Sequence, residues 1–294
     1  MNITELLLQM KPELAGKNLQ LTPFRSEEDD SEYSVWKVTF DDQTLVLKEA
    51  KEYEEQVYRE FLADPLGAAP KLCATARDGE KTFLMMEYIP GETLSKCTRP
   101  ALIRALDALI TLQERYWEKH EYDTCGYPTE KALESRIRRG SYLTDETIRK
   151  AYEGYLQLFS SLPKTFCHDD LLPFNVLVSP ERAVIIDWEF AGMLPYPTAL
   201  ARLIAHGEED EEAFFHMTAV DKAFAVDYYY DHLVRTKGIS YGEYRKALDY
   251  CLLYEHCEWV MVGIKYGDTN SERYRKYSQS AKALAAKLNE TYAL

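Results

Sequence analysis

A short stretch near the middle of the chain holds the residues best suited to chemistry. It places a histidine, two carboxylates and a carboxamide, namely His168, Asp169, Asp170 and Asn175, on a loop between apolar β-type runs, and a further carboxylate, Asp187, ends the second run. A base, an amide oxygen and an acid that converge on one point are what phosphoryl transfer needs. In that reaction the protein mainly positions metal ions, neutralises charge and orients the attacking hydroxyl. The stretch therefore predicts a small-molecule kinase.

Each of these residues has a predicted role. Asp170 is expected to accept or orient the proton of the acceptor hydroxyl, which makes it the candidate catalytic residue. Asn175 and Asp187 are expected to hold Mg²⁺, which prefers oxygen ligands and takes one or two protein carboxylates together with phosphates. His168 is expected to bond the main chain and orient the loop without taking part in the chemistry. The alternative is a solvated loop whose acids cap turns, but the spacing H-x-D-x-x-x-x-N before an apolar strand, a turn and I-I-D is specific.

The strings HDDLLPFNVLV, at 168–178, and IIDWEFAG, at 185–192, resemble the catalytic segment of the aminoglycoside phosphotransferase and choline kinase superfamily, a branch of the kinase-like fold. The resemblance covers about residues 18–267. It implies an α+β, bilobal protein-kinase-like fold, with a small β-rich N-terminal lobe that contains one helix and a larger, mainly helical C-terminal lobe. It also implies ATP as the phosphate donor and Mg²⁺ as the cofactor. These motifs specify the superfamily well and the substrate hardly at all.

The elements that must position these residues can be read from the pattern. Strands are predicted at 18–25, 33–40, 44–49, 71–76 and 82–88, and a helix at 51–63. Helical periodicity is found at 99–117, 129–139, 144–160, 209–236 and from 241 to the end. The change of character predicts an N-terminal nucleotide-binding lobe at 1–88 and a C-terminal catalytic and substrate-binding lobe at 89–294, with a hinge at about 87–94. A cleft between such lobes is a favoured ligand site.

The resemblance also implies how the phosphates of ATP are bound. Lys48 ends a strand and would contact the α- and β-phosphates as a compact positive charge. Its partner would be an acid on the following helix, where Glu52, Glu54, Glu55 and Glu60 compete. We expect Glu55, which borders the apolar face of the helix, whereas Glu52 and Glu54 look solvent-facing.

The segment before residue 90 resembles the hinge of the family. By that match the Glu87 carbonyl and the Ile89 amide would bond the adenine edge through the backbone, and Met86 would guard the back of the adenine pocket. Recognition through the backbone leaves ATP and GTP undistinguished. It also means that replacing the Glu87 side chain should matter little.

Two departures from the family pattern bear on the prediction. The loop between the first two strands contains four consecutive acids and no glycine, although a phosphate-covering loop normally offers backbone N–H groups. Either the acids point to solvent while the amides of Ser31 or Ser34 approach the phosphates, which we expect, or nucleotide binding is weak. The second departure is Ala199, which stands where relatives usually have an aspartate. How the catalytic loop is braced from below is therefore open.

The acceptor is expected between the catalytic loop and the C-terminal helices. Asp169, Glu255, Glu258 and Trp259 are the candidate substrate-binding residues, since aromatic rings beside carboxylates can bind an ammonium group. The alternative is that the aromatic residues are core and the acids are solvated. The expected substrate is a small, cationic, hydroxylated molecule, either an aminoglycoside-type antibiotic or an amino alcohol such as choline or ethanolamine. Thiamine, a sugar and another antibiotic class remain as further possibilities.

Composition narrows the partners and the compartment. The net charge of −14, from 49 acidic and 35 basic residues, disfavours nucleic acid and anionic membranes as partners. No apolar run reaches the roughly 18 residues of a membrane span. The start of the chain lacks the features of a signal peptide, and the six cysteines include no C-x-x-C pair. A cytoplasmic protein is expected, as a monomer or a homodimer.

Two other functions are compatible with parts of the pattern. A nucleotide-binding pseudokinase with a regulatory role would account for the acidic loop and for Ala199. A protein kinase is disfavoured, because no A-P-E segment and no activation loop follow Asp187. Whichever acceptor is used, the sequence does not specify the hydroxyl that is phosphorylated.

Overall fold

The structure is a computed structural model that describes residues 2–25 and 31–292. Its N-terminal part is built on one antiparallel sheet of five strands in the order β1-β2-β3-β5-β4. The strands β1 to β5 are Gln20–Arg25, Glu32–Phe40, Gln43–Glu49, Leu72–Asp78 and Lys81–Glu87. β3 is a central strand, so Lys48 near its end projects from the middle of the sheet.

Two helices cover the two faces of this sheet. Helix α1, Ile3–Met10, begins with a capping box between Asn2 and Glu5 and packs on the face that carries Leu47. Helix α2, Glu54–Glu60, lies on the side of Leu84 and Met86 and shares a core with the C-terminal part. Side chains alternate between the faces of a strand, which explains why neighbouring residues join different cores. The lobe boundary at residue 88 stays a prediction, because the larger core continues across it.

The C-terminal part is mainly helical. Its helices are α3 Arg99–Tyr116, α4 Thr129–Gly140, α5 Glu146–Ser161, α6 Thr198–Ala205, α7 Ala219–His232, α8 Tyr241–Tyr266 and α9 Glu272–Thr291. Two small antiparallel sheets accompany them: β6 Glu92–Thr93 with β8 Val176–Val178 and β9 Ala183–Ile185, and β7 Lys164–Cys167 with β10 Gly192–Pro195. The predicted α+β class, a β-rich N-terminal part before a helical C-terminal part, is confirmed.

Several predicted elements differ from the observed ones. The N-terminal part contains α1 as well as the expected helix, and α6 was not predicted. The helix predicted at 209–236 begins only at residue 219, because Thr218 caps it and the preceding loop is held by bridges from His216 to Lys96 and Glu208. The helical run predicted from 241 onward is two helices, since Gly267, at φ 72°, ends α8 in a left-handed conformation. In the described ranges, no helix combines the length and apolar character needed to cross a membrane.

Candidate active site

The segment 168–187 is held at both ends by one aromatic stack. Phe166, at the end of β7, stacks on Phe61 with ring centroids 4.2 Å apart and on Trp188 at 5.1 Å. All three rings are buried. Because Trp188 follows Asp187 directly, the stack fixes the start of the loop relative to the second carboxylate, and it ties both to the residue that follows α2.

His168 orients the loop through its main chain. Its buried ring bonds the Ile186 carbonyl through Nε2 at 2.9 Å, and the Asp170 N–H donates to Nδ1 at 3.2 Å. These two bonds require a neutral imidazole that carries its proton on Nε2. Burial lowers the pKa of His168 and so favours that form, although Asp170 and Asp187 oppose the shift. The geometry fits an orienting role, and the role itself stays a prediction.

The two predicted metal ligands are joined through the β8–β9 ladder. The buried side chain of Asn175 donates from Nδ2 to the Asp170 carbonyl at 2.8 Å, and the main-chain carbonyl of Asn175 accepts the Ile186 N–H at 2.9 Å. Asp187 therefore directly follows Ile186, the residue whose main chain bonds that of Asn175. Its backbone has φ 65°, a left-handed conformation that is uncommon for a residue with a side chain and tends to occur at functional sites.

Two oxygen atoms of this pair are free to bind a cation. Among the described residues, none donates a hydrogen bond to Oδ1 of Asn175 or to Oδ2 of Asp187. Within the same residues, no cluster of three or more His, Cys, Asp or Glu side chains could hold a metal ion by itself. An amide oxygen and one carboxylate fit Mg²⁺ that arrives with phosphates and waters as its other ligands.

Lys48 brings the sheet to this site. Its Nζ lies 2.6 Å from Oε1 of Glu54 and 2.5 Å from Oδ1 of Asp187, and its side chain is 11% exposed. Burial favours the neutral amine, but the two carboxylates outweigh it and raise the pKa of Lys48. One ammonium group thus connects β3 with α2 and with the segment after β9.

The expectation that Glu55 is the partner of Lys48 is wrong, because the partner is Glu54. The Glu54 side chain is fully buried, whereas Glu55 bonds Arg59 at 2.8 Å and Arg77 at 3.4 Å on the surface. α2 begins at Glu54, which lies three and four residues before the buried Val57 and Tyr58 and therefore shares their face of the helix. That spacing was visible in the sequence and pointed to Glu54.

At the predicted hinge, Met86 and Ile89 are buried. The Ile89 amide forms no hydrogen bond with any described residue, and its role in adenine binding stays a prediction. The Glu87 side chain bonds Arg182 at 2.6 Å and the Lys71 N–H at 3.2 Å. The Glu87 side chain thus joins β5 to the turn after β8. This contact was not expected, because only the main chain of Glu87 was predicted to have a role. Both side chains of this ion pair are more than a third exposed, so we expect it to contribute little stability.

The hinge also contains a close approach that only glycine allows. A Cβ added at Gly91 would lie 2.8 Å from the Val178 carbonyl oxygen. This contact holds the segment after the hinge against β8, the strand that follows Asn175. Residues 26–30 of the acidic loop lie outside the described residues, so the predictions about that loop remain as they were.

The predicted acceptor acids are each paired with an arginine. Asp169 bonds Arg136 at 2.6 Å. Glu255 and Glu258 bond one guanidinium group, that of Arg202, at 2.8 and 2.7 Å. Glu258 also bonds Arg139 on α4. The arginines Arg136, Arg139 and Arg202 were not predicted. The sequence contains many basic residues, and it does not show which of them meet these acids in the fold.

Trp259 is also engaged within the protein. Its ring stacks on Tyr277 of α9, with centroids 5.9 Å apart, and the guanidinium of Arg273 lies 4.6 Å above it. The alternative reading of Trp259 as a packing residue therefore describes it better than a free cation-binding ring. With Asp170 included, this cluster contains the four carboxylates of Asp169, Asp170, Glu255 and Glu258 and the three guanidinium groups of Arg136, Arg139 and Arg202. The formal charges of these seven groups sum to −1, whereas four unpaired acids would carry a charge of −4.

Three features define the kinase-like fold. They are the β-rich part with its lysine–glutamate pair, the loop with His168, Asp170 and Asn175, and the helical C-terminal part. The model of the phosphotransferase enzyme family matches residues 20–229, and the chain belongs to this family. The resemblance seen in the sequence is thereby confirmed. A search of curated proteins finds no match to the chain.

Solved structures agree on the fold. A thermostable variant of the aminoglycoside phosphotransferase APH(4)-Ia, in ternary complex with AMP-PNP and hygromycin B, has a TM-score of 0.59 at 14% identity over 100% of this chain and 99% of that one. A choline/ethanolamine kinase family protein from Mesorhizobium loti has 0.58 at 20% identity over 96% and 92%. Choline kinase from Cryptosporidium parvum has 0.60 at 12% identity over 98% and 95%. At these identities the comparisons show the fold and leave the acceptor open.

Proposed function

We propose that the protein transfers the γ-phosphoryl group of ATP, in a Mg²⁺-dependent reaction, to a hydroxyl group of a small molecule. One observation carries the proposal. The ammonium of Lys48 lies between Glu54 and Asp187, directly beside a loop that presents Asp170 and Asn175. A cation held between two acids, two oxygen atoms free to bind a metal ion and a carboxylate for the acceptor are the parts that phosphoryl transfer to an alcohol requires.

Each residue has a defined task in this reaction. Lys48 would contact phosphate oxygens, with Glu54 holding its ammonium group in place. Asn175 and Asp187 would supply the protein oxygens for magnesium, which neutralises phosphate charge when it is bound. Asp170 would orient the acceptor hydroxyl and take its proton while the hydroxyl oxygen bonds to the γ-phosphorus and ADP leaves. His168 would keep the Asp170 main chain in register through the bond to its N–H.

The acceptor is proposed as a small hydroxylated molecule with a positive charge. An aminoglycoside-type antibiotic and an amino alcohol of the choline or ethanolamine type remain the two candidates, with thiamine behind them. The paired acids bear on this choice. Asp169, Glu255 and Glu258 are matched by arginines, and the single remaining negative charge suits one ammonium group better than several.

An assay that couples ADP release to a colour change would test the proposal with a panel of hydroxylated compounds. The panel would contain choline, ethanolamine, thiamine, hygromycin B and neutral sugars, with Mg-ATP as donor. We expect turnover with at least one compound and a loss on the order of 100-fold or more in Asp170→Asn, because general base catalysis contributes 10²–10⁴-fold. Mg-ATP affinity should be kept in that variant. Tight Mg-ATP binding without turnover on a broad panel would instead favour a regulatory pseudokinase.

A further inference from the structure

Arg202 on α6 connects Asp170, the proposed catalytic residue, to Glu255 and Glu258 of α8. Its Nε and Nη2 donate to the same oxygen, Oδ1 of Asp170, at 3.1 and 2.7 Å. Its Nη1 donates to Glu255 and Glu258 of α8, and its side chain is 12% exposed. No other described arginine touches Asp170.

The contact treats the two carboxylate oxygens of Asp170 differently. Oδ1 receives two N–H groups of a planar guanidinium, which restricts rotation of the carboxylate. Oδ2 receives no hydrogen bond from any residue in the part of the chain that the structure describes. One oxygen is therefore anchored and the other is left for a ligand.

We infer that Arg202 is a positioning residue for phosphoryl transfer: it anchors Oδ1 of Asp170 so that Oδ2 is presented to the acceptor hydroxyl. This inference rests on the proposed function. It also answers how the catalytic loop is braced where Ala199 replaces the acid of relatives. Arg202 lies three residues after Ala199 and so projects from the same face of α6.

The surroundings of Arg202 keep its guanidinium charged and fixed. Burial opposes the charge, but Glu255, Glu258 and Asp170 outweigh it and raise the pKa of Arg202 well above its ordinary value. Glu255 is also close to His206, whose Nε2 lies 3.4 Å from Oε2. The guanidinium group that binds Asp170 is thus held where α6 packs on α8. The competing explanation is that Arg202 only neutralises Glu255 and Glu258 and contributes stability alone.

Kinetics of Arg202→Met and Arg202→Lys separate these explanations. With the best acceptor of the panel, Arg202→Met is expected to lower kcat on the order of 100-fold, the effect of a small misplacement of a reacting group. The KM for Mg-ATP should change less than about threefold, since ATP binding uses other residues. Arg202→Lys should recover part of kcat by restoring one N–H donor. The control is Arg245→Met, which removes an ion pair with Asp249 on α8, and it should keep the parental kcat.

A second measurement reports on the contact without turnover. Urea unfolding midpoints would be compared for Arg202→Met, Asp170→Asn and the double variant. The two losses should be less than additive, because either change breaks the same contact.

An unchanged or raised kcat in Arg202→Met overturns the inference, and so do additive losses of the midpoint. Loss of kcat in Arg245→Met as large as in Arg202→Met would show a general effect of stability and overturns it too. Absence of turnover in the parent rejects the proposed function, and the positioning role with it. Turnover in the parent that Arg202→Met retains rejects the positioning role alone.

Discussion

The amine of Lys48 lies 2.5 Å from the carboxylate of Asp187, although 139 residues separate them in the chain. Lys48 comes from the central sheet of the N-terminal part, and Asp187 follows β9 in the C-terminal part. The same ammonium bonds the fully buried Glu54. A phosphate that enters this site therefore meets a cation that is already held between two acids, one of which, at 40% exposed, is accessible.

Exchange of Glu54 for glutamine should impair the nucleotide site, whereas the same exchange at Glu55 should not. Glu54→Gln removes the buried charge that holds Lys48, and Lys48 then turns to Asp187, the proposed metal ligand. We expect kcat/KM for Mg-ATP to fall by about tenfold or more, since even a small misplacement of a group that contacts the substrate slows the reaction. Glu55→Gln breaks only surface pairs with Arg59 and Arg77 and should stay within about twofold. Equal losses in the two variants would contradict the pairing.

Mg²⁺ should increase the thermal stabilisation that ATP gives, and this increase should depend on Asp187. In the parent, ATP with Mg²⁺ is expected to raise the melting temperature more than ATP with EDTA, because binding to the folded state stabilises it. In Asp187→Ala the two conditions should give the same shift. Asp231→Asn, which removes an exposed acid of α7, is the matched control and should behave as the parent. A Mg²⁺-dependent shift that survives in Asp187→Ala would rule out this residue as the metal ligand.

The geometry of the candidate catalytic segment was predictable because its information is local. His168, Asp170 and Asn175 lie on one loop, and the β8–β9 ladder that brings Asp187 beside Asn175 is also short. The lysine–acid pair was predictable as a type, and the choice between Glu54 and Glu55 depended on which of them shares the helix face of the buried Val57 and Tyr58. A shift of one residue rotates a side chain by about 100° around a helix, from the cleft to the surface.

The acceptor side was less predictable because its contacts are long-range. Glu255 and Glu258 were expected either to bind an ammonium group or to be solvated, yet they pair with Arg202, more than fifty residues before them, and Glu258 also pairs with Arg139, more than one hundred residues before it. A sequence pattern shows which charges exist, and the packing of α4, α6 and α8 decides which of them meet. The loop before α7 was predicted as helix for a related reason, since its bridges to residues after the hinge replace helical hydrogen bonds.

Gly192 should be intolerant of a side chain, because the segment after Asp187 runs directly against a neighbouring loop. The Tyr127 N–H donates to the Ala191 carbonyl at 2.8 Å, and a Cβ at Gly192 would lie 2.3 Å from the Tyr127 carbonyl oxygen. We expect Gly192→Ala to lower the free energy of unfolding by about 1–3 kcal/mol, measured by urea denaturation.

Gly242 offers the matched control for that change. It lies in the first turn of α8, and a Cβ added there would meet no atom within 4 Å. Gly242→Ala should leave stability unchanged or raise it by about 0.5–1 kcal/mol, since alanine favours the helix. If Gly192→Ala is as stable as Gly242→Ala, the close approach of the two loops is not present in solution.

His256 on α8 should make stability fall on acidification. Burial, with a smaller contribution from His206, lowers the pKa of His256 from its ordinary 6.5 to about 4. Its Nδ1 is buried without a hydrogen-bond partner among the described residues. The unfolded chain therefore takes up a proton near pH 6.5, while the folded protein resists it until about pH 4. Because the unfolded state binds more protons in this window, its free energy falls relative to the folded state as the pH is lowered.

The expected loss is at most about 3 kcal/mol between pH 6.5 and pH 4, from 1.36 kcal/mol for each pKa unit. It should be smaller in practice, because the residue is not completely shielded from water. His256→Phe keeps a ring at this position and removes the titrating group. Urea denaturation of parent and variant at half-unit steps from pH 7.5 to 4 would then show the parent losing stability faster than the variant as the pH falls. Parallel curves across that window would mean that His256 takes up its proton equally well in the folded and unfolded states, contrary to its burial against α9 and beside His206.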